Sequence, residues 1–385
     1  MSASIPSAQG SRDHALDWLR VIAFGLLILY HIGMFFVPWG WHVKTAEPVE
    51  ALQYPMLLLN PWRLALLFFI SGAAMRYLLD KQKALRFAGS RVWRLFPVIV
   101  FGMIVIVAPQ TYFELRQEGL IEPGYLAFWK QYLTQEKLHG ITVPTWNHLW
   151  YVVYLMFYAL LLALVAPVLR FIGNGPVGES IAKLWERPGV AALLILPTLP
   201  FVAYRITLDP HFEVTHNLIE DWANHARSLT MLVFGFYAAK SERFWGVVDS
   251  AWLIAGVLAL AYVPVLGWAL TIEDAVWDTQ PWFMWPVRLM RQAYLWWIIV
   301  FLLGAARRFL SGDGPLLRYL NVAVFPLYIF HQTITVAAGY WVGTQEFSVW
   351  MEFAVLVGAT VLGSLALFEI TKRTGPFRLV FGMKP

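Results

Sequence analysis

The stretch "DWLRVIAFGLLILYHIGMFFVP" at residues 17–38 decides the fold, because it is an apolar run of membrane-spanning length that still carries an arginine and a histidine. Arg20 and His31 stand eleven positions apart, and a helix turning 100° per residue returns them to within about 20° of one face. The rise between them is about 16 Å, which places an arginine at one membrane surface and an imidazole near the middle of a bilayer about 30 Å thick. A permanent cation at the rim with a proton-transfer group inside suits a long anionic ligand.

Composition identifies the solvent. The 385 residues are 59% hydrophobic and only 14% charged, whereas a water-soluble domain carries about 25% charged residues. The reading is all-α: a polytopic integral membrane protein, one domain over residues 1–385, with short cytoplasmic tails at 1–18 and 371–385. Residues 1–15 hold no apolar core with a cleavage site, so the first helix is expected to stay as an anchor. There is no cysteine, which excludes disulfides, thiolate metal sites and a cysteine nucleophile. The net charge of +5 follows from basic loops facing one compartment, and nucleic acid is not an expected partner.

Apolar runs separated by charged or Pro/Gly-rich breaks give about ten transmembrane helices, near 20–39, 57–79, 95–110, 147–170, 188–206, 224–239, 249–270, 287–305, 319–341 and 349–370. The N-tail, even-numbered loops and C-tail hold about 19 Lys/Arg against about 4 in the odd-numbered loops, so both termini are expected in the cytoplasm. Residues 80–94 form the most basic cytoplasmic loop in this scheme. Trp39, Trp41, Trp146, Trp282 and Trp285 sit near span ends, as an interfacial belt requires.

Polar residues inside spans are informative because a buried charge costs at least about 2.5 kcal/mol on insertion scales. His31 is weighed as a proton-transfer group against a histidine that only bonds a neighbouring helix, and its alignment with Arg20 favours the first. Ser71 and Gly72 in "FFISG" offer a close helix approach or a ligand channel, with Arg76 nearer the surface. Arg91 and Arg94, three apart, suit a phosphate cluster or anionic lipid. His148 and Trp150, with Asn147, read as a sugar-facing outer rim or as anchors. His331 falls at a depth comparable with His31, where Pro326 is expected to open the backbone. The two histidines support each other or a metal, and mutual support is preferred because zinc needs three or four convergent ligands. Arg63, Arg205, Arg227, Arg288 and Arg291 lie in outer halves of spans, as partners of acidic loop residues or of an anionic acceptor.

These residues carry a resemblance. Arg20 and His31 match R-x10-H, "FFISG" at 68–72 matches F-x-x-S-G and "RVWR" at 91–94 matches R-x-x-R, so the chain resembles acyltransferase family 3, the bacterial inner-membrane O-acyltransferases. Residues 16–44, 148–155 and 325–332 are most similar to the branch that succinylates periplasmic glucans. The resemblance implies a multi-pass protein of the bacterial inner membrane, with acetyl-CoA or succinyl-CoA as donor substrate and no permanently bound cofactor or metal. It implies that Arg20, Arg91, Arg94, Arg76 and Ser71 hold the acyl-CoA, and that His31 acts as general base. His148, Trp150 and His331 would meet a periplasmic or cell-envelope glycan, and the reading leaves room for a homo-oligomer. The alternatives are a secondary transporter, which would show paired interrupted helices in two related halves, and a non-catalytic export subunit.

Overall fold

The computed structural model describes residues 14–184, 189–272 and 282–383. The expected tail before residue 14 and most of the acidic outer stretch at 273–281 lie outside the described residues. The chain is a helical bundle. In order it forms α1 (His14–Met34), α2 (Gln53–Leu59), α3 (Arg63–Lys81), α4 (Ala84–Phe101), a π-helical segment (Gly102–Val107), α5 (Ala108–Gln117) and α6 (Tyr125–Thr134). A two-stranded hairpin, β1 (Lys137–Leu138) with β2 (Ile141–Thr142), precedes α7 (Trp150–Asn174), α8 (Pro176–Leu184), α9 (Val190–Ile195) and α10 (Leu199–Thr207). The rest is α11 (Trp222–Ala238), α12 (Glu242–Ala269), α13 (Trp285–Phe309), α14 (Pro315–Val342), α15 (Val349–Thr371) and α16 (Gly375–Val380).

Among the described residues nine helices are long and apolar enough to cross a membrane. The expected span at 224–239 corresponds to α11, which at 17 residues is shorter than those nine. Another difference concerns residues 80–94: this basic run is helical from Ala84, so Arg91 and Arg94 stand inside α4 rather than in a loop.

Three spans are interrupted, each with a proline whose missing N–H breaks the helical ladder. The Asn60-Pro61-Trp62 break separates α2 from α3. Pro197 lies between α9 and α10, where the Leu193 carbonyl it would leave unpaired accepts from Trp296 Nε1 at 2.7 Å. Pro109 follows the π segment, whose carbonyls at Met103, Ile104 and Ile106 accept from Tyr132, Trp129 and Thr333. Irregular backbone at membrane depth persists only where such partners or a cavity satisfy it. Pro326, by contrast, stays within the continuous helix α14.

Close helix approach fixes the centre of the bundle. A Cβ on Gly72 of α3 would lie 1.8 Å from the Leu232 carbonyl oxygen, and one on Gly235 of α11 would lie 1.8 Å from that of Phe69. Each helix thus supplies a glycine at the other's backbone, the small-residue packing that replaces hydrophobic driving force inside lipid. Helix packing accounts for Gly72.

After α1 the chain folds back over the bundle, burying Phe35, Phe36, Val37 and Val43 completely. Lys44 Nζ donates to the Met34 carbonyl at 2.6 Å, capping an orphan carbonyl at the negative end of α1, and to the Val37 carbonyl in the segment that follows. Lys44 N and O also bond Gln117 at 2.8 Å each, which ties this segment to α5.

Candidate active site

His31 lies in the last turn of α1, and its Nδ1 is 2.7 Å from His331 Nε2 on α14. The rings are stacked, with centroids 5.0 Å apart and planes 6° from parallel. His331 is fully buried, and its Nδ1 lies 2.6 Å from the Tyr328 carbonyl oxygen. A carbonyl only accepts, so His331 Nδ1 carries the proton. A neutral His331 then presents a lone pair at Nε2, so His31 Nδ1 is the donor across the pair. The His31 Nε2 lone pair is left over, and among the described residues no group bonds it. The consequence is an imidazole lone pair held in orientation from behind by a second imidazole.

That free nitrogen belongs to a residue lining a cavity of about 810 Å³, within the size range of sites that bury an organic ligand. Trp41, His42, Asn147, His148, Trp150, Tyr151, Tyr328 and Gln332 line it near the histidines, whereas Arg63, Arg205, Arg227 and Arg291 supply a cationic wall. Arg205 and Arg227 both bind Asp209, Arg205 at 3.1 Å. Arg63 is only 6% exposed, and its Nε and Nη1 have no partner. Leaving a buried donor unpaired costs about 1–3 kcal/mol, and more when it is charged, so this guanidinium is an expensive feature.

Several expected site residues converge here and others do not. His148 is buried rather than on an exposed rim: its ring meets His331 edge-on at 5.3 Å, and its Nε2 donates to the Ile329 carbonyl at 3.1 Å. Trp150 is buried too, stacked on His216 at 4.3 Å. Trp41 and Trp146, expected in a lipid-facing belt, instead line the cavity. Ser71 Oγ lies 3.0 Å from the hydroxyl of the cavity residue Tyr151. Arg20 donates to Asn321 Oδ1 at 2.6 Å and pairs with Asp17 at 3.4 Å. Arg94 donates to the Gly382 carbonyl, and Arg91 lies over the Phe87 ring. Arg76 is engaged elsewhere, sharing Asp80 with Arg170 and Lys240.

A polar chain behind the histidines was not anticipated from the sequence. His42 Nδ1 donates to Glu114 Oε2 at 2.5 Å, and His42 Nε2 accepts from the Gln332 amide at 3.1 Å. The same amide reaches Gln110 Oε1 at 3.0 Å, and Gln110 donates to Thr333 Oγ1 at 2.8 Å. Gln332 is a polar residue in an apolar helix, whereas Gln110 lies in the polar α5, where nothing singles it out. His42 sits in an irregular segment, where no periodicity marks it.

Comparison with known proteins bears on this geometry. The chain matches a family described as "Acyltransferase domain" over residues 13–369. It is similar to "Glucans biosynthesis protein C" of Escherichia coli O6:K15:H31 (strain 536 / UPEC), 19% identical over 383 residues, covering 97% of this chain and 95% of that protein. The proteins of that name from E. coli O1:K1 / APEC and O157:H7 (strain EC4115 / EHEC) are also 19% identical with the same coverage. No solved structure matches the chain.

Proposed function

This chain belongs to the acyltransferase family whose domain it matches, and from that premise we propose that it carries an acetyl or succinyl group from cytoplasmic acyl-CoA to a glycan hydroxyl outside. It is an acyltransferase and a multi-pass membrane protein. The proposed acceptor is a periplasmic glucan, in keeping with the name of its relatives, and the proposed location is the bacterial inner membrane, with both termini in the cytoplasm.

The observation that carries the reading is the hydrogen-bond chain from the Tyr328 carbonyl through His331 to His31. In the proposed reaction His31 Nε2 takes the proton of the acceptor hydroxyl as that oxygen attacks the thioester carbonyl. The developing imidazolium keeps its Nδ1–H on His331, which stabilises the charge. Collapse of the tetrahedral intermediate breaks the carbon–sulfur bond, and His31 returns the proton to the coenzyme A thiolate. The products are the ester and free coenzyme A, so atoms and charge balance. Arg20 in α1 and Arg91 and Arg94 within α4 are the proposed phosphate contacts. Arg76, held by Asp80, is a weaker member of that set.

Sealed vesicles of known orientation test the reading. Acyl-CoA should be consumed only from the face bearing residues 80–94, and the glycan acylated only from the other. Acylation with both substrates on the cytoplasmic face would remove the through-membrane route, and absence of transfer to any glycan hydroxyl would remove the acceptor assignment.

A further inference from the structure

Four arginines from four helices converge on the cavity: Arg63 opens α3, Arg205 closes α10, Arg227 lies in α11 and Arg291 in α13. Only part of that charge is answered. Asp209 takes Arg205 and Arg227, and Glu213 lies exposed on the cavity lining. Among the described residues no ion pair engages Arg63 or Arg291. Arg63 stands at a helix N-terminus, the end where the macrodipole disfavours a cation, and two of its buried nitrogens have no partner. The cost of holding it there is offset if an anion is bound in use.

The group around Arg63 is built rather than accidental. Its guanidinium carbon lies 3.4 Å from the centre of the Tyr30 ring. Asn60 Nδ2 donates to the Tyr30 hydroxyl at 2.9 Å, and Asn60 Oδ1 accepts from Arg291 Nη2 at 3.4 Å. The break at Pro61 that ends α2 is what brings Asn60 and Arg63 to the cavity together. The Tyr30 ring centre is 6.2 Å from that of His31. With the 3.4 Å stack, this puts the Arg63 guanidinium within about 10 Å of the reacting imidazole.

We propose that Arg63 and Arg291 form an oxyanion-binding subsite that receives a carboxylate or phosphate carried by one of the reactants. Two planar guanidiniums present the fork of donors that carboxylate and phosphate oxygens match. The anion has two sources: the far carboxylate of a dicarboxylic acyl group, or an acidic substituent on the acceptor glycan. Assigning it to a reactant rests on the acyl-transfer reading, whereas the anion site itself does not.

Calorimetric titration of the full chain in lipid nanodiscs tests the subsite with succinate, glycerol 1-phosphate and neutral glycerol as probes. The two anions should bind and glycerol should not. Arg63→Gln and Arg291→Gln should each weaken anion binding about tenfold or more, and Arg291→Lys should restore part of it. Undetectable anion binding to the wild type, or isotherms of both glutamine variants that overlay it, would overturn the subsite. If the variants do not fold, phenylglyoxal footprinting of the wild type decides: adducts at Arg63 and Arg291 should be suppressed by succinate, and unsuppressed modification overturns the proposal. Turnover separates the sources. Loss in Arg63→Gln confined to succinyl-CoA with a neutral glucan assigns the donor carboxylate, and loss confined to phosphate-bearing acceptors assigns the glycan. Anion binding without acyl transfer from any donor would refute the acyl-transfer reading and leave the subsite standing.

Discussion

His31 and His331, 300 positions apart in the chain, meet at 2.7 Å through Nδ1 and Nε2. Because the other nitrogen of His331 is bound to a carbonyl oxygen, the direction of the hydrogen bond between the rings is determined, and with it the tautomer of His31. The single unengaged ring nitrogen of the pair belongs to His31, which lines the cavity.

Removing that nitrogen should abolish the chemistry and spare the fold. His31→Ala is expected to insert and purify normally, since alanine inserts more readily than an intramembrane polar group, while acyl transfer falls about 100-fold or more. Retained turnover in a folded variant would exclude His31 as the base.

The role proposed for His331 is positioning. His331→Ala should lower kcat about 10- to 100-fold with little change in KM, by analogy with the partners that orient metal-ligating histidines. His331→Gln, which can still accept from His31 Nδ1, should recover part of the rate. Equal losses in both variants would count against the orienting role.

On the donor side, Arg20→Ala should weaken acyl-CoA binding about tenfold or more, the value of a charge-assisted hydrogen bond. Arg20→Lys should restore only part, because an ammonium lacks the planar fork. Binding isotherms that overlay wild type would move the coenzyme A site elsewhere.

The glycine contact between α3 and α11 predicts a pair of opposite outcomes. Gly72→Ala puts a methyl 1.8 Å from a backbone oxygen, whereas the same change at Gly25 of α1 meets nothing within 4 Å. Thermal unfolding in detergent should show Gly72→Ala destabilised by about 3 kcal/mol and Gly25→Ala near neutral.

Burial pushes the Lys44 ammonium down to about 8 from its usual 10.5. A cation whose pKa is lower folded than unfolded weighs against the fold wherever it stays charged. The penalty is whole below about pH 8 and lifts as the pH rises towards 10.5. The melting temperature of the wild type minus that of Lys44→Met should therefore rise across this window. A flat difference would mean that the ammonium is not desolvated.

How much could be read in advance follows from the solvent. In a bilayer every backbone polar group must be satisfied within the segment, so apolar run length alone marks the helices, and each polar exception is conspicuous because of its cost. His31, His331, Arg20, Ser71, Arg63 and Arg291 were all legible for that reason. The 80–94 run was not, because its amphipathic helix has no long apolar stretch to separate it from a basic loop. His42, which lies between elements, carried no pattern at all.

What the sequence by itself determined is the helical membrane architecture, the Arg20–His31 alignment on one helix and the family. These depend on local spacing or on motifs within single segments. The tertiary structure alone decided that His331 stands behind His31, that His148 lies buried beside His331, and that arginines from α3, α10, α11 and α13 line one cavity. The reason is physical: helix periodicity relates residues a few turns apart, while the partners of a buried polar group are set by how helices cross, and those crossings depend on the proline breaks and glycine contacts of the whole bundle.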